Sequence, residues 1–224
     1  LIVWSPEEEE IVGGYRFILC GDALVNGELK LSTTHYFDFN ANFIEKYIPY
    51  TIELGRSWVQ PLFQPSVDPR KGLFALDNIW DGLGALIVRY PNMKYFFGKV
   101  TMYSTFNVDA RNYLLNFLNH HFPDREQLLK PLQPLPLALN DQFVVDTNEN
   151  LPYKDAFKKL NSYVREHGEN IPPLVNIYMN LSPSMRIFGT AVNHDFGSVE
   201  ETGIMVTIED IYPEKKERHM EGIS

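Results

Sequence analysis

The chain of 224 residues contains a single cysteine, Cys20. One thiol can form neither an intrachain disulfide nor a cysteine-based metal cage. Cys20 ends an apolar, strand-like run, which favours a packed thiol over a role in a site. No spacing of metal-ligating residues is present either, and we therefore predict that the protein holds no metal.

The sequence also lacks long apolar runs and a surplus of basic residues. No run approaches the roughly 20 apolar residues that span a bilayer, and no signal peptide is visible. Acidic residues outnumber basic ones by 29 to 20, for a net charge of −9, which argues against a nucleic-acid partner. We expect a cytoplasmic protein, with peripheral contact at the inner membrane as an open alternative.

A glycine-rich dinucleotide fingerprint is missing as well. Gly82-Leu-Gly84 lies inside a helical pattern and predicts close helix packing rather than a phosphate cradle. What the chain does have is enough apolar material for a core, since hydrophobic residues make up 44% and aromatic residues 13%.

Hydrophobic periodicity predicts a mixed α/β (α+β) sheet covered by helices. Asn107 is a good N-cap for one helix, Pro172-Pro173 can open another, and the proline-rich stretch 130–139 is expected to be irregular. The predicted strands cover 1–4, 11–19, 50–59, 95–100, 185–188 and 203–208, and the predicted helices lie at 76–90, after 107, at 156–164 and at 172–181.

The segment 52–59 is the most informative for chemistry. Glu53 and Arg56 are three residues apart, so a regular strand would point them to opposite faces. A bulge near Gly55 would bring them to one side and make a candidate reaction centre. The alternative, which spacing alone favours, is an exposed ion pair on an edge strand.

Arg16 lies in another strand whose neighbours are apolar. An unpaired buried charge is very costly, and Glu53 is an obvious partner. We therefore predict that Arg16 and Glu53 lie within ion-pairing distance, either as part of a site or as a structural salt bridge.

Four segments carry a resemblance to a known family. Gly-Gly-Tyr-Arg-Phe at 13–17 and Glu-Leu-Gly-Arg-Ser-Trp-Val at 53–59 resemble paired strands of the acyl-homoserine-lactone synthases. They resemble still more closely the first acyltransferases of ornithine- and glycine-lipid synthesis, often labelled haemolysins. The segments Ile171-Pro-Pro-Leu-Val-Asn-Ile-Tyr-Met-Asn-Leu181 and 188–197 are similar to the closing part of the latter family.

This resemblance implies the fold of the GNAT acyltransferases. The expected architecture is a mixed, mostly antiparallel central sheet flanked by helices, with splayed central strands at 50–59 and 94–100. It implies one GNAT-like domain over 1–224 and a helical insertion over 130–181 before the closing strands. Because the chain starts without Met inside a strand-like run, we expect that the N-terminal part of the fold is missing before residue 1.

The resemblance also implies a reaction. A (3-hydroxy)fatty acyl group would move from an acyl carrier protein thioester to the amine of a small amino acid, glycine or ornithine, in aminolipid synthesis. Glu53 would accept the amine proton, and Arg16 or Arg56 would bind the acceptor carboxylate. Backbone N–H groups of the splayed strands would stabilise the thioester oxyanion. No bound cofactor is expected, because acyl-phosphopantetheine or acyl-coenzyme A is a co-substrate.

The loop after residue 59 departs from the GNAT pattern. GNAT enzymes bind the coenzyme A pyrophosphate with a glycine-rich turn there, whereas residues 64–75 contain a single glycine, Gly72. We therefore expect acyl carrier protein as the donor, docked on Arg70 and Lys71. The residues assigned to substrate binding, with plain core packing as the alternative, are Trp58, Val59, Phe63 and Phe74.

Two other functions remain open from the sequence. One is a different GNAT chemistry, such as the lactone-forming synthesis of a signal molecule, and the other is a non-enzymatic, haemolysin-like lipid-binding protein.

Overall fold

The computed structural model describes residues 1–64, 67 and 81–220. The strands are β1 (Ile2–Ser5), β2 (Glu10–Leu19), β3 (Leu24–Val25), β4 (Glu28–Leu29), β5 (Phe37–Phe39), β6 (Thr51–Val59), β7 (Tyr95–Met102), β8 (Leu129–Pro131), β9 (Arg186–Asn193) and β10 (Val199–Thr207). The helices are α1 (Ala41–Lys46), α2 (which includes 81–89), α3 (Val108–His121), α4 (Asp141–Asn148), α5 (Tyr153–Glu166), α6 (Pro173–Met179) and α7 (Pro213–Met220). Short 3-10 turns include Cys20–Ala23 and Ser32–His35.

Six strands form the central sheet in the order β1-β2-β6-β7-β10-β9. Every neighbouring pair is antiparallel except β6 and β7, which run parallel. This confirms the expected mixed, mostly antiparallel sheet with helices packed on it. The pairs β3-β4 and β5-β8 form two small separate sheets.

The sheet buries a different cluster on each face. Phe96 belongs to the cluster that includes residues of α3, α5 and α6, whereas its neighbour Phe97 belongs to the cluster that includes residues of α1, β5 and the turn Cys20–Ala23. Successive residues of a strand point to opposite faces, so one face packs on the large helices and the other on short connecting elements. We call these the helix face and the turn face.

Several predicted elements are confirmed and others are longer or new. The Asn107 side chain caps α3 by accepting from the N–H groups of Asp109 and Ala110. The segment 130–181 carries α4, α5 and α6. The strands β9 and β10 extend well beyond the expected 185–188 and 203–208, and the sequence did not predict α4 or any element between residues 20 and 50. The part of the predicted helix at 76–80 lies outside the described residues.

Gly82 lies at a close contact. A Cβ on Gly82 would lie 2.7 Å from Leu1 Cδ2, which confirms close packing at this glycine.

The irregular stretch after β8 covers the edge strand β9. Leu135 N–H donates to the Thr190 carbonyl at 2.9 Å, and Val192 N–H donates to the Gln133 carbonyl at 2.8 Å. Covering an edge in this way removes a site of unwanted strand pairing.

The helices of the described segments are each too short or too polar to cross a membrane.

Asp146 ties three helices together. Its carboxylate accepts from Tyr113 Oη in α3 at 2.6 Å, from Lys159 Nζ in α5 at 2.9 Å and from Gln142 Nε2 in its own helix at 3.0 Å. Burial acts to raise the pKa of Asp146, but these hydrogen bonds outweigh it and hold the pKa below the usual 3.8.

We expect Asp146→Asn to lower the free energy of unfolding by about 1–3 kcal/mol at neutral pH, since hydrogen bonds to a charged group are lost. A carboxyl with a depressed folded-state pKa stabilises above its unfolded pKa, and this contribution disappears as pH falls through the folded-state pKa. The difference between the two proteins should therefore shrink below about pH 4. Urea unfolding at several pH values measures it, with Asp155→Asn, at an exposed pair with Lys158, as the control that should change little.

Candidate active site

The two parallel strands at the centre of the sheet separate partway along their length. β6 and β7 pair from Thr51 with Tyr95 to Leu54 with Gly98, and the pairing stops there. Beyond this point β6 stays paired with β2 as far as Val59, and β7 stays paired with β10 as far as Met102. The expected V-shaped opening between these strands is confirmed.

A bulge in β6 lies beside the opening. Gly55 pairs with Arg16 and Trp58 pairs with Gly14, so β6 advances three residues where β2 advances two. Arg56, inside this step, has a left-handed φ of 53°. A bulge bends its strand and increases the local twist, which accounts for β6 leaving β7 here. The bulge required for a reaction centre at this point is therefore present, whereas the alternative that spacing alone favours, an exposed pair on an edge strand, is not, because β6 lies inside the sheet and Glu53 is buried.

The opening leads into a cavity of about 1170 Å³. Its lining on the turn face is mainly polar, although Ile18, Leu29 and Phe97 also line it there, and its lining on the helix face is apolar. We call these the polar half and the apolar half. The polar half includes Arg16, Ser32, Tyr36, Glu53, Arg56 and Lys99. The apolar half includes Tyr15, Leu83, Phe96, Leu174, Tyr178 and Val206.

Glu53 lies at the last part of the β6–β7 ladder and is only 3% exposed. Its Oε1 accepts from Ser32 Oγ at 3.2 Å and from Thr33 N–H at 3.1 Å, and its Oε2 accepts from Ser32 N–H at 3.4 Å. A buried carboxylate needs such donors, because burial without them is very costly. The turn Ser32–His35 therefore fixes the Glu53 side chain at the cavity wall.

The predicted ion pair between Glu53 and Arg16 is wrong. The register places Arg16 opposite Gly55 and places Ile18 opposite Glu53, while donors from the turn at Ser32 occupy the carboxylate. Arg16 is exposed rather than buried, so its charge does not require an internal partner.

Arg16 and Arg56 nevertheless share the cavity with Glu53. Both are exposed, and neither forms an ion pair within 1–64, 67 and 81–220. Guanidinium groups bind carboxylates bidentately. The polar half of the cavity therefore offers two cations to an anionic ligand beside one fixed carboxylate.

A second polar cluster on the turn face was missed by sequence reasoning. Glu201, 2% exposed in its side chain, pairs with Lys99 Nζ and accepts from Thr101 Oγ1 at 2.6 Å and from Asn193 Nδ2 at 3.2 Å. Lys99 Nζ also lies 4.8 Å from the centre of the Tyr36 ring. Burial and the nearby Glu201 raise the pKa of Tyr36, so this phenol stays neutral.

One feature of the sequence could have indicated this cluster, namely a carboxylate within an otherwise apolar strand. Glu200-Glu201 stands between Val199 and the apolar residues of β10, and a buried carboxylate demands a cation or several donors. The partners lie in β7 and β9, and Lys99 and Thr101 are about 100 residues away in sequence. Only the fold identifies them as a cluster.

Cys20 is fully buried on the turn face next to Glu53. Burial raises the pKa of its thiol, and the Glu53 charge raises it further. A protonated, enclosed thiol is a poor nucleophile, in agreement with the expected packing role.

The residues assigned to substrate binding are not brought together in the cavity. Trp58 is 45% exposed, and Val59 and Phe63 pack in a small cluster with Val12. None of these three lines the cavity. Phe74, Arg70 and Lys71 lie outside the described residues.

Comparisons with known proteins agree with this geometry. Residues 1–68 match the family model described as an acetyltransferase (GNAT) domain. A glycine N(alpha)-acyltransferase of Phocaeicola vulgatus is 50% identical over 229 residues, covering 99% of this chain and 69% of that protein. One of Bacteroides thetaiotaomicron is 51% identical over 228 residues, covering 99% of this chain and 66% of that protein. No solved structure matches the chain.

A parted parallel strand pair over a cavity, joined with these similarities, defines an acyltransferase of the GNAT fold. The chain belongs to the GNAT N-acyltransferase family that contains these two relatives. It spans about two thirds of their length.

Gly98 tests how the opening is built. A Cβ at this position would lie 2.6 Å from the Leu54 carbonyl oxygen, so Gly98→Ala must push apart the last pair of the ladder. We expect a lower melting temperature, because overpacking typically costs about 1–3 kcal/mol. We also expect a raised KM for the acyl donor, because the displaced pair lies where the opening between the strands begins.

Gly55→Ala is the matched control, since the nearest atom to its Cβ would be Arg16 Nη2 at an ordinary 3.9 Å. An equal decrease in the melting temperature of the two variants would contradict the role assigned to Gly98.

Proposed function

We propose that this protein transfers a fatty acyl group from a pantetheine thioester to the amine of a small amino acid, with glycine as the first candidate. One observation carries the proposal. Glu53 lies where β6 and β7 part, in the polar half of a cavity whose other half is apolar. A reaction that joins a charged amino acid to an apolar chain needs a polar surface for the first substrate next to an apolar surface for the second.

The thioester donor fits the opening between the strands. A pantetheine arm is narrow and extended, and the edges of β6 and β7 beyond Leu54 and Gly98 are not paired with each other. Backbone N–H groups on those edges can stabilise the oxyanion that forms on the thioester carbonyl. The acyl chain then lies in the apolar half, against residues such as Phe96 and Leu174.

The amino acid occupies the polar half. Its carboxylate is bound by Arg16 and Arg56, whose charges lie at the cavity and have no protein anion as a partner among the residues described. This arrangement favours an amino acid over a simple amine, since binding needs an anionic group. The names of the two bacterial relatives favour glycine, and ornithine is the other candidate from the sequence resemblance.

Glu53 is the general base in this mechanism. The neutral amine attacks the thioester carbonyl while Glu53 accepts a proton from the nitrogen, directly or through a water. A C–N bond forms, the C–S bond breaks, and the proton passes from Glu53 to the leaving sulfur. The products are an N-acyl amino acid and a free thiol, as expected for a step in aminolipid synthesis.

We expect Glu53→Gln to fold normally and to lose about 10²–10⁴-fold in kcat, because loss of a general base has this typical cost. Thiol release from an acyl-carrier thioester with free glycine or ornithine measures it. Glu28→Gln is the control, because Glu28 lines the same cavity but makes only a loose, exposed pair with Lys30 at 3.7 Å.

The same assay separates the alternatives. Activity of Glu53→Gln within a few-fold of the unmodified protein would place the base elsewhere. A lactone product would indicate signal-type chemistry, and the absence of any thioester turnover would favour a lipid-binding protein.

The proposed donor is acyl carrier protein rather than free coenzyme A, with peripheral contact at the inner membrane where the lipid product is used. Support comes from the sequence of residues 64–75, which contains one glycine and not the clustered glycines that let backbone N–H groups approach a pyrophosphate. Carrier proteins are acidic, and this chain has a net charge of −9, so docking needs a local basic surface. Arg70 and Lys71 are the candidates in that segment of the sequence.

Reversing both charges, with Arg70→Glu and Lys71→Glu, should raise the KM for the acyl-carrier donor and leave the KM for the amino acid nearly unchanged. The effect should weaken as salt increases, because exposed charges are screened within about 8 Å at physiological ionic strength. Steady-state kinetics with both donors test this. Equal use of acyl-coenzyme A, with no effect of the double reversal, would contradict the carrier donor and leave N-acyl transfer intact.

A further inference from the structure

We propose that Ser32 is a positioning residue for Glu53, which holds one carboxylate oxygen and leaves the other directed to the acceptor amine. The inference rests on the proposed role of Glu53 as the general base. Ser32 acts through Glu53 and is not itself assigned a contact with substrate.

The two oxygens of Glu53 have unequal environments. Oε1 accepts two hydrogen bonds, from Ser32 Oγ at 3.2 Å and from Thr33 N–H at 3.1 Å. Oε2 accepts one long bond, from Ser32 N–H at 3.4 Å. Oε1 is therefore the anchored oxygen, and Oε2 retains lone pairs with which to accept a proton.

Ser32 supplies two of these three donors, and its hydroxyl is the one that belongs to a side chain. The backbone N–H groups of Ser32 and Thr33 give each carboxylate oxygen one hydrogen bond, and the Ser32 hydroxyl gives Oε1 a second one. This second bond to Oε1 further restricts rotation of the carboxylate. A base displaced by a fraction of an ångström loses much of its effect.

The other hydroxyl groups of this turn form no hydrogen bond with Glu53. Thr34 Oγ1 donates to the Leu31 carbonyl at 2.8 Å, within the turn itself. Thr33 Oγ1 is buried and makes no hydrogen bond, although the Thr33 N–H reaches Glu53. Ser32 is therefore the hydroxyl through which the turn controls the Glu53 side chain.

The experiment compares Ser32→Ala and Ser32→Thr in the full chain, each with Glu53 intact and with Glu53→Gln, using thiol release with glycine and an acyl-carrier thioester. Ser32→Ala should lower kcat roughly tenfold, the loss expected for one hydrogen bond to a charged group, and should leave both KM values within about twofold. Ser32→Thr keeps the hydroxyl and should restore most of kcat. In the Glu53→Gln background, Ser32→Ala should have no further effect, because the two residues act as one unit.

Thr34→Val is the matched control, since it removes a hydroxyl hydrogen bond from the same turn without touching Glu53. It should not reproduce the coupling to Glu53→Gln. If Ser32→Ala is unstable by thermal unfolding, Ser32→Cys fills the site with a slightly larger side chain that is only a weak donor, and it should show the same loss of kcat and the same coupling.

Two results would overturn the inference: a kcat for Ser32→Ala equal to that of the unmodified protein while Glu53→Gln is inactive, or an equal loss from Ser32→Ala in both backgrounds. Full activity of Glu53→Gln would instead contradict the proposed base itself.

Discussion

The parallel ladder between β6 and β7 ends at Leu54 and Gly98, and the cavity exists because the two strands diverge from there. The bulge at Arg56 takes β6 away from β7, while the antiparallel neighbours β2 and β10 keep each strand in the sheet. A backbone opening of this kind joins the two faces of one sheet, so that groups on the turn face and on the helix face reach a common space.

Charged side chains around that opening differ in how they are held. Glu53 is buried and held by the turn at Ser32, whereas Arg16 and Arg56 are exposed. Lys99 lines the same half of the cavity but pairs with the buried Glu201. The described part of the cavity wall therefore has one fixed carboxylate, two arginines without an ion-pair partner and one lysine paired within the fold.

The sequence predicts the parts of this site that depend on local chemistry. The resemblance indicated parted strands, which is confirmed. Glu53, Gly55 and Arg56 left a bulge and an exposed ion pair open as alternatives, and the structure has the bulge. The Glu53–Arg16 pair failed because register between strands, which depends on bulges and turns, put Arg16 opposite Gly55. Ser32 and Glu201 could not be assigned, since Glu53 is 21 residues from Ser32 and Thr101 is 100 residues from Glu201, and only packing brings them together.

The binding mode of the donor is tested most directly by a crystal structure of the protein with a non-hydrolysable acyl-pantetheine analogue, in which the thioester sulfur is replaced by a methylene group. We expect the pantetheine arm to lie between β6 and β7 beyond Leu54 and Gly98. We also expect the ketone carbonyl near Glu53 and the acyl chain on the helix face. An arm bound elsewhere, with β6 and β7 contacting no part of it, would refute acyl transfer at this opening.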